Sequence, residues 1–463
     1  MTVSQVLAQF VASASPDTLG PADWAGAKAA ISDCIACTVA GAATPTGAIV
    51  RKVADASSGE GPATVIGSGR SLSPQAAALA NGTAGHALDY DDILWTQYGH
   101  PSVAVLPAAL ALAEATGASG RELIMAYAIG VEIIGKFGRA ANPQHYEHGW
   151  HSTATMGVIG AAAASARLMR LDPQQTAMAL GLAASQASGV RRNFGTMTKP
   201  FHAGNAARAG ILSAELAREG FTSDLRAFEG EVGWAQVLQA RSMPAPQEWA
   251  ASLGQPWELS APGIVLKRYP ACGCTHCALD ALLAICKEHE IKAEEIDKID
   301  CDASPLAKKV LLYPRPVTGL EGKFSMEFSL AVAAVEGQAG PSQYQDHWTQ
   351  DARVQALLPK ISFRSRADLE PDVSADAVPA EVTVHARGQS YTRKVLVPSG
   401  DPRNPMTQGE RREKFMACTQ DLVPIPAASG LFDALEGLET CTDIGALLAP
   451  LRGAALVAQA AAA

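Results

Sequence analysis

The segment MGVIGAAAASARLM, residues 156–169, constrains the fold more than any other part of the chain, because side chains this small let helices on either side approach closely. It belongs in the buried centre of an all-helical domain. Before about residue 265 the sequence is rich in Ala, Gly and Leu at helical spacing, with start signals that pair a capping residue with proline. Ser73-Pro74 opens a helix toward Leu88, and Asp172-Pro173 opens another that Gly189 can close in a left-handed conformation. Residues 121–137 and 203–218 read as further helices.

Strand signals begin near Pro262. Residues 381–387 and 390–397 are β-prone runs separated by Gly388-Gln389, a hairpin signal, and residues 296–302 alternate apolar and polar side chains as a half-buried strand does. After about residue 405 the helical, Ala-rich character returns. The expected fold is mainly α: a large all-helical domain made of residues 1–264 and 405–463, interrupted by a smaller α+β lid domain at 265–404. The tail, residues 453–463, carries no readable pattern.

With 463 residues, 48% of them hydrophobic, the chain can bury a large core. Only 18% are charged, which excludes a disordered polyelectrolyte. The net charge of -9 and the lack of any long Lys or Arg run argue against nucleic-acid binding, so an anionic substrate must be met by a few local cations. The first seventeen residues contain no Lys or Arg and so lack the charged start of a signal peptide. No window offers about 18 uninterrupted apolar residues for a membrane span. The expectation is a soluble cytoplasmic protein, its nine cysteines reduced.

Three stretches concentrate the chemistry. They are Asn81-Gly-Thr-Ala-Gly-His-Ala-Leu-Asp-Tyr-Asp-Asp92 with His100-Pro-Ser, then Gly149-Trp-His-Ser-Thr153, then Gly195-Thr-Met-Thr-Lys-Pro-Phe-His202. Together they supply imidazoles, carboxylates and an ammonium, the groups needed for proton transfer next to a carboxylate. A helix running from Pro74 would place His86 and Asp89 on one face, with Asp91 and Asp92 ending it against the macrodipole. The plainer alternative is that residues 89–92 form a solvated helix end. His151, ahead of Ser152-Thr153 at a helix start, can help bind a carboxylate.

Two clusters suggest metals. His145, His148 and His151 have a regular spacing, but Pro143 and Gly149 argue against a shared helical face. Cys272-Gly-Cys-Thr-His-Cys277 packs three thiols and His276 together without a second CxxC group, and reads better as small buried hydrophobes. The basic groups available to an acidic substrate are Arg191, Arg192, Lys267, Arg268 and Lys199. Lys199 is placed in a glycine-flanked loop with apolar neighbours, where burial favours general-base duty.

The chain resembles the MmgE/PrpD family. The resemblance rests on Asn81-Gly82, His86, Asp89-Tyr-Asp-Asp92, His100-Pro101-Ser102, Gly149-Trp-His-Ser-Thr153, Lys199-Pro200, His202-Ala-Gly204, Lys267-Arg-Tyr-Pro270, Cys272, His276 and Glu321-Gly-Lys-Phe-Ser325. It implies a helical domain, an α+β lid, a cleft between them, a homodimer, and acid–base chemistry on a small di- or tricarboxylate without metal or organic cofactor. The family includes 2-methylcitrate dehydratase, cis-aconitate decarboxylase and iminodisuccinate epimerase. Its active-site positions fall on Asp89, His100, His151, Lys199, Lys267 and His276, with a tyrosine at Tyr313; Arg192 is added as a substrate-binding cation. Ile93 stands where the decarboxylases are expected to carry threonine. Residues 193–199, Ala261-Pro-Gly263, Leu311-Leu-Tyr313 and Gly322-Lys-Phe-Ser325 look most similar to the epimerase branch, although Tyr98 takes the place of an arginine before Gly99-His100-Pro101. A non-catalytic scaffold is the reading from another class, and the presence of every acid–base candidate argues against it.

Overall fold

The computed structural model describes residues 1–240, 242–369 and 377–452, so the tail at 453–463 lies outside the described residues. The fold is mainly helical with two small sheets, in line with the expected class.

Gly157–Leu168 forms the predicted central helix, and its small side chains are almost all buried. The helices Ser102–Thr116, Gly120–Ala141 and Thr198–Arg218 pack around it. The helix Pro74–His86 starts where expected, with the Ser73 side chain capping it and Pro74 in the first turn. It crosses Thr198–Arg218 at very short range: a Cβ added to Gly82 would lie 2.8 Å from the Gly204 Cα.

The predicted helix after Asp172 spans Pro173–Ser185, secured by a capping box between Asp172 and Gln175. Gly189 has φ +117°, yet it lies beyond the helix end and caps nothing. Helices Gln408–Thr419, Ile425–Glu436 and Ile444–Arg452 pack back on the first part of the chain.

Two elements in the first part were not expected. Strands β1 (Glu60–Val65) and β2 (Arg70–Leu72) form a short antiparallel pair with an irregular register. The second sheet contains β3 (Ile296–Ala303), β4 (Ile361–Ser365), β5 (Ala380–Ala386) and β6 (Gln389–Val395), in the order β4-β3-β5-β6. β4 pairs parallel to β3, while β5 and β6 are the predicted antiparallel hairpin. Its turn is Arg387-Gly388 and not Gly388-Gln389. Both turn residues have positive φ, as a two-residue hairpin matched to strand twist requires.

Two hydrophobic cores result. The first joins helices from both ends of the chain. The second is built on the four-stranded sheet and also takes in Ile93, Trp95 and Tyr146 from the early sequence. Ile93 and Val265 exchange both backbone hydrogen bonds at 2.9 Å, fastening the 89–100 segment to the start of the second core. Among the described residues no single helix is long and apolar enough to cross a membrane.

Candidate active site

The helix expected to continue to Leu88 ends at His86, and Asp89 takes a left-handed conformation with φ +50°. His86 and Asp89 therefore do not share a helical face. Buried lysines supply the reason. Lys323 Nζ donates to the Leu88 carbonyl at 2.7 Å, Lys267 Nζ to the Asp89 carbonyl at 2.7 Å, and Lys414 Nζ to the Tyr90 carbonyl at 2.9 Å. Three successive carbonyls that a helix would bond internally are instead held by three ammonium groups.

The carboxylates that follow are fully enclosed, so the solvated helix end is overturned: Asp89 is 3% exposed, and Asp91 and Asp92 are 0%. Each carboxylate has different partners. Asp89 pairs with Lys199 Nζ at 2.9 Å and Lys267 Nζ at 2.5 Å. Burial pushes its carboxyl up, but these two ammonium groups hold it well below the usual carboxylate range. Asp91 faces two imidazoles, with His86 Nδ1 at 2.9 Å and His100 Nδ1 at 3.2 Å. Asp92 accepts from the Ser102 hydroxyl, which also meets Tyr127 at 2.6 Å, and burial pushes its carboxyl well up.

His100 Nδ1 lies 2.8 Å from the Asp92 carbonyl as well as facing Asp91. Both neighbours are acceptors, so Nδ1 carries the hydrogen and Nε2 keeps its lone pair, 3.6 Å from Asp89. The carboxylate that orients these two imidazoles is thus Asp91. His151 shares a hydrogen bond at 3.0 Å with His202 Nδ1, and its ring meets Phe194 edge-on. Burial, then the nearby Lys199 charge, pushes His151 well down, while burial lowers His100. The helix after His151, Ser152–Thr155, is a single turn, too short for its dipole to hold an anion.

Lys199 occupies the first turn of Thr198–Arg218 and is 4% exposed, not displayed on a loop. Its ammonium lies 5.2 Å from the Phe194 ring and 5.1 Å from the Phe324 ring. Paired with Asp89, it serves as a buried cation. Lys267 is fully buried beside it, and His276, 1% exposed, is pushed down to about 3 by burial and then by the Lys267 charge.

The other expected residues surround this centre. Tyr313 donates to the Phe194 carbonyl at 2.7 Å, and Gly195 at φ +87° makes room for it, since a Cβ there would sit 2.8 Å from the ring. Arg192 is exposed, near enough to Tyr313 for its charge to act on the phenol. Arg191 lies 3.8 Å over the Tyr146 ring, which stacks on Tyr98 at 5.5 Å. Arg268 points away to Glu410 at 3.0 Å.

Among the described residues, neither cluster weighed as a metal site brings three donor atoms together. His145 is tied to the Leu238 carbonyl and Thr155, both at 2.7 Å, while His148 is exposed and bonds Gln144. All nine cysteines are free, with Cys274 and Cys277 buried and Cys272 partly so. Among the described residues, His86, Asp89, Asp91 and His100 do offer ligand atoms within 4.8 Å of one another. A divalent cation at that point would meet the ammonium groups of Lys199 and Lys267, which already neutralise Asp89.

Sequence reasoning missed the pairing of His86 with Asp91 and the parts played by Lys323 and Lys414. Burial pushes Lys323 down to about 7 against the pull of Asp89. No spacing in the sequence signals these partners, since Asp89 itself takes a left-handed turn and the lysines come from far along the chain.

Residues 5–247 match the MmgE/PrpD N-terminal domain and residues 269–431 the MmgE/PrpD C-terminal domain. Cis-aconitate decarboxylase of Homo sapiens is 28% identical over 401 residues, covering 82% of this chain and 80% of that protein. Cis-aconitate decarboxylase-like protein oryM of Aspergillus oryzae is 28% identical over 476 residues and 97% of each chain. Cis-aconitate decarboxylase of Aspergillus terreus is 27% identical over 454 residues, with 91% and 90% coverage.

Proposed function

Because this chain belongs to the MmgE/PrpD family, we propose that it is an acid–base enzyme acting at the carbon α to a carboxylate of a small di- or tricarboxylate. The observation that carries the reading is the enclosed group of Asp89, Lys199, Lys267, His100 and His151. A C–H bond next to a carboxylate is weakly acidic. Removing its proton leaves an enediolate-like charge that buried cations stabilise strongly.

In this proposal Lys199 and Lys267 leave Asp89 in part to meet the substrate carboxylate, with Arg192 as an outer cation and His276 beside Lys267. The lone pair of His100 Nε2 takes the proton, and His151 is the second acid–base group. Returning the proton to the opposite face gives epimerisation, whereas protonating a β-hydroxyl and releasing water gives dehydration. Tyr313, which donates to the Phe194 carbonyl, is the group that returns a proton. The resemblance adds a homodimer in which residues 265–404 act as a lid over the rest.

Decarboxylation is the second reading, favoured by the names of the relatives. There CO2 leaves in place of the proton, and an acid then protonates the carbon. Ile93 tells against it, because its side chain packs in the second hydrophobic core and brings no hydroxyl to the site.

The test is proton–deuterium exchange in D2O across a panel of di- and tricarboxylates including 2-methylcitrate, cis-aconitate and iminodisuccinate. The wild type exchanges the α-proton of at least one acid, and His100→Ala slows that exchange by about 100-fold or more. A wild type that exchanges none of them removes the proposal.

A further inference from the structure

His86 is 1% exposed, and both oxygens of Asp91 lie 2.9 Å from its Nδ1. A carboxylate at that distance fixes the hydrogen on Nδ1, so Nε2 keeps an acceptor lone pair. That Nε2 is buried and has no hydrogen-bond partner. The His100 ring lies 4.5 Å from the His86 ring on one side, and the His151 ring stacks 6.0 Å away on another. His86 therefore neighbours both imidazoles given the acid–base work. The group cannot meet its need by gaining a proton, since burial, set against Asp91 and deepened by Lys199, pushes its pKa down to about 3.

A buried acceptor left unmatched is destabilising, and such groups in native proteins are nearly always satisfied. A carboxylate cannot satisfy this one, because two acceptors repel. None of the hydrogen bonds made by its neighbours is given to it. Lys199 and Lys267 turn to Asp89, and the Nδ1 hydrogen of His100 lies between Asp91 and the Asp92 carbonyl. The lone pair is thus open to a donor that arrives with the ligand and takes the place of water.

We propose that His86 Nε2, oriented by Asp91, accepts a hydrogen bond from a hydroxyl or N–H group on the substrate and so selects donor-bearing di- and tricarboxylates over unsaturated ones that carry carboxylates alone. The inference rests on the acid–base reading of the same site and narrows its substrate class. It favours hydroxy acids and imino or amino acids, the starting materials of dehydration and epimerisation.

The experiment compares exchange or turnover of 2-methylcitrate and malate, which carry a hydroxyl, with cis-aconitate, which does not, in the wild type and two variants. His86→Phe keeps a flat ring without the acceptor. His86→Leu removes the acceptor with a smaller apolar side chain and leaves Asp91 its contact with His100. Both variants lose about tenfold or more in kcat/KM on the hydroxy acids relative to cis-aconitate, the worth of about one hydrogen bond. A variant that merely loosens the site lowers both classes alike, and that result overturns the role given to His86. Should His86→Phe fail to fold, the ratio in His86→Leu decides alone. A wild type inactive on every acid brings down the parent reading instead, whereas an active wild type with an unchanged ratio brings down only this one.

Discussion

Three aspartates within four residues show how completely surroundings decide what a side chain does. Asp89 is an anion between two ammonium groups, Asp91 aligns two imidazoles, and Asp92 holds Ser102 at the start of the Ser102–Thr116 helix. The imidazoles make acid the weak side of the molecule. His86 and His276 are each pushed down to about 3 by burial, so the unfolded chain takes up protons near pH 6.5 while the folded chain does not. Stability from these groups is complete above about pH 6.5 and is lost as pH falls toward 3, at about 1.4 kcal/mol per pH unit for each histidine. Asp89 adds to the loss at the acid end, because its folded pKa is depressed. Urea unfolding midpoints measured from pH 7 to pH 4.5 should fall steadily, with a shallower slope in His276→Gln. A flat wild-type profile would show that these imidazoles are not held neutral. The residue types were legible: the motifs around Asp89, His100, His151 and Lys199 name nearly everything brought together. The partners were not, because the pairing of Asp91 with His86 depends on a left-handed turn at Asp89 that lysines from far along the chain enforce.

Elements place these groups through helix crossings that tolerate no added volume. Pro74–His86 ends in His86, and Thr198–Arg218 carries Lys199 in its first turn, so their crossing at Gly82 and Gly204 sets the distance between the Asp89 turn and its ammonium partner. A methyl group on Gly204 would lie 2.2 Å from Thr83 Oγ1 and 2.3 Å from the Leu79 carbonyl. The helices must then separate. Gly204→Ala should lose about 1–3 kcal/mol of stability, as overpacked cores do, although alanine is the better helix former. It should also slow α-proton exchange by more than the stability loss accounts for, because the Lys199–Asp89 pair opens. Exchange at full wild-type rate in this variant would show that the crossing does not position the site. The small-residue pattern announced such crossings, since low side-chain volume is a property of sequence alone. Helix ends were less legible, as the early stop at His86 shows, and β1 and β2 were too short and irregular to register against an Ala-rich background.

At the scale of the whole molecule, two hydrophobic cores meet along one segment, and lysines tie that segment to both. Lys323, from the second part of the chain, donates to the carbonyls of Leu88 and Pro270. Lys414, from the returning Gln408–Thr419 helix, donates to Tyr90 and to the Lys267 carbonyl at 2.8 Å, and pairs with Asp33 of the Pro21–Ala42 helix at 2.7 Å. One ammonium therefore links the first helices, the aspartate turn and the passage into the second core. Sequence showed that helical character returns after residue 405, but not that its purpose includes holding the site. Lys414→Met removes the partner of a buried carboxylate and leaves two carbonyls without a donor, a change that should lose about 3–5 kcal/mol. Adding Asp33→Asn to Lys414→Met should recover part of that loss, because the stranded charge disappears while the carbonyls stay unmet. Denaturant unfolding of the two single variants and the double variant measures the coupling directly. α-Proton exchange measured under conditions where the double variant is folded then separates stability from positioning: if Lys414 positions the site, exchange stays slow after stability returns. Recovery of both together would make Lys414 a support of the fold alone.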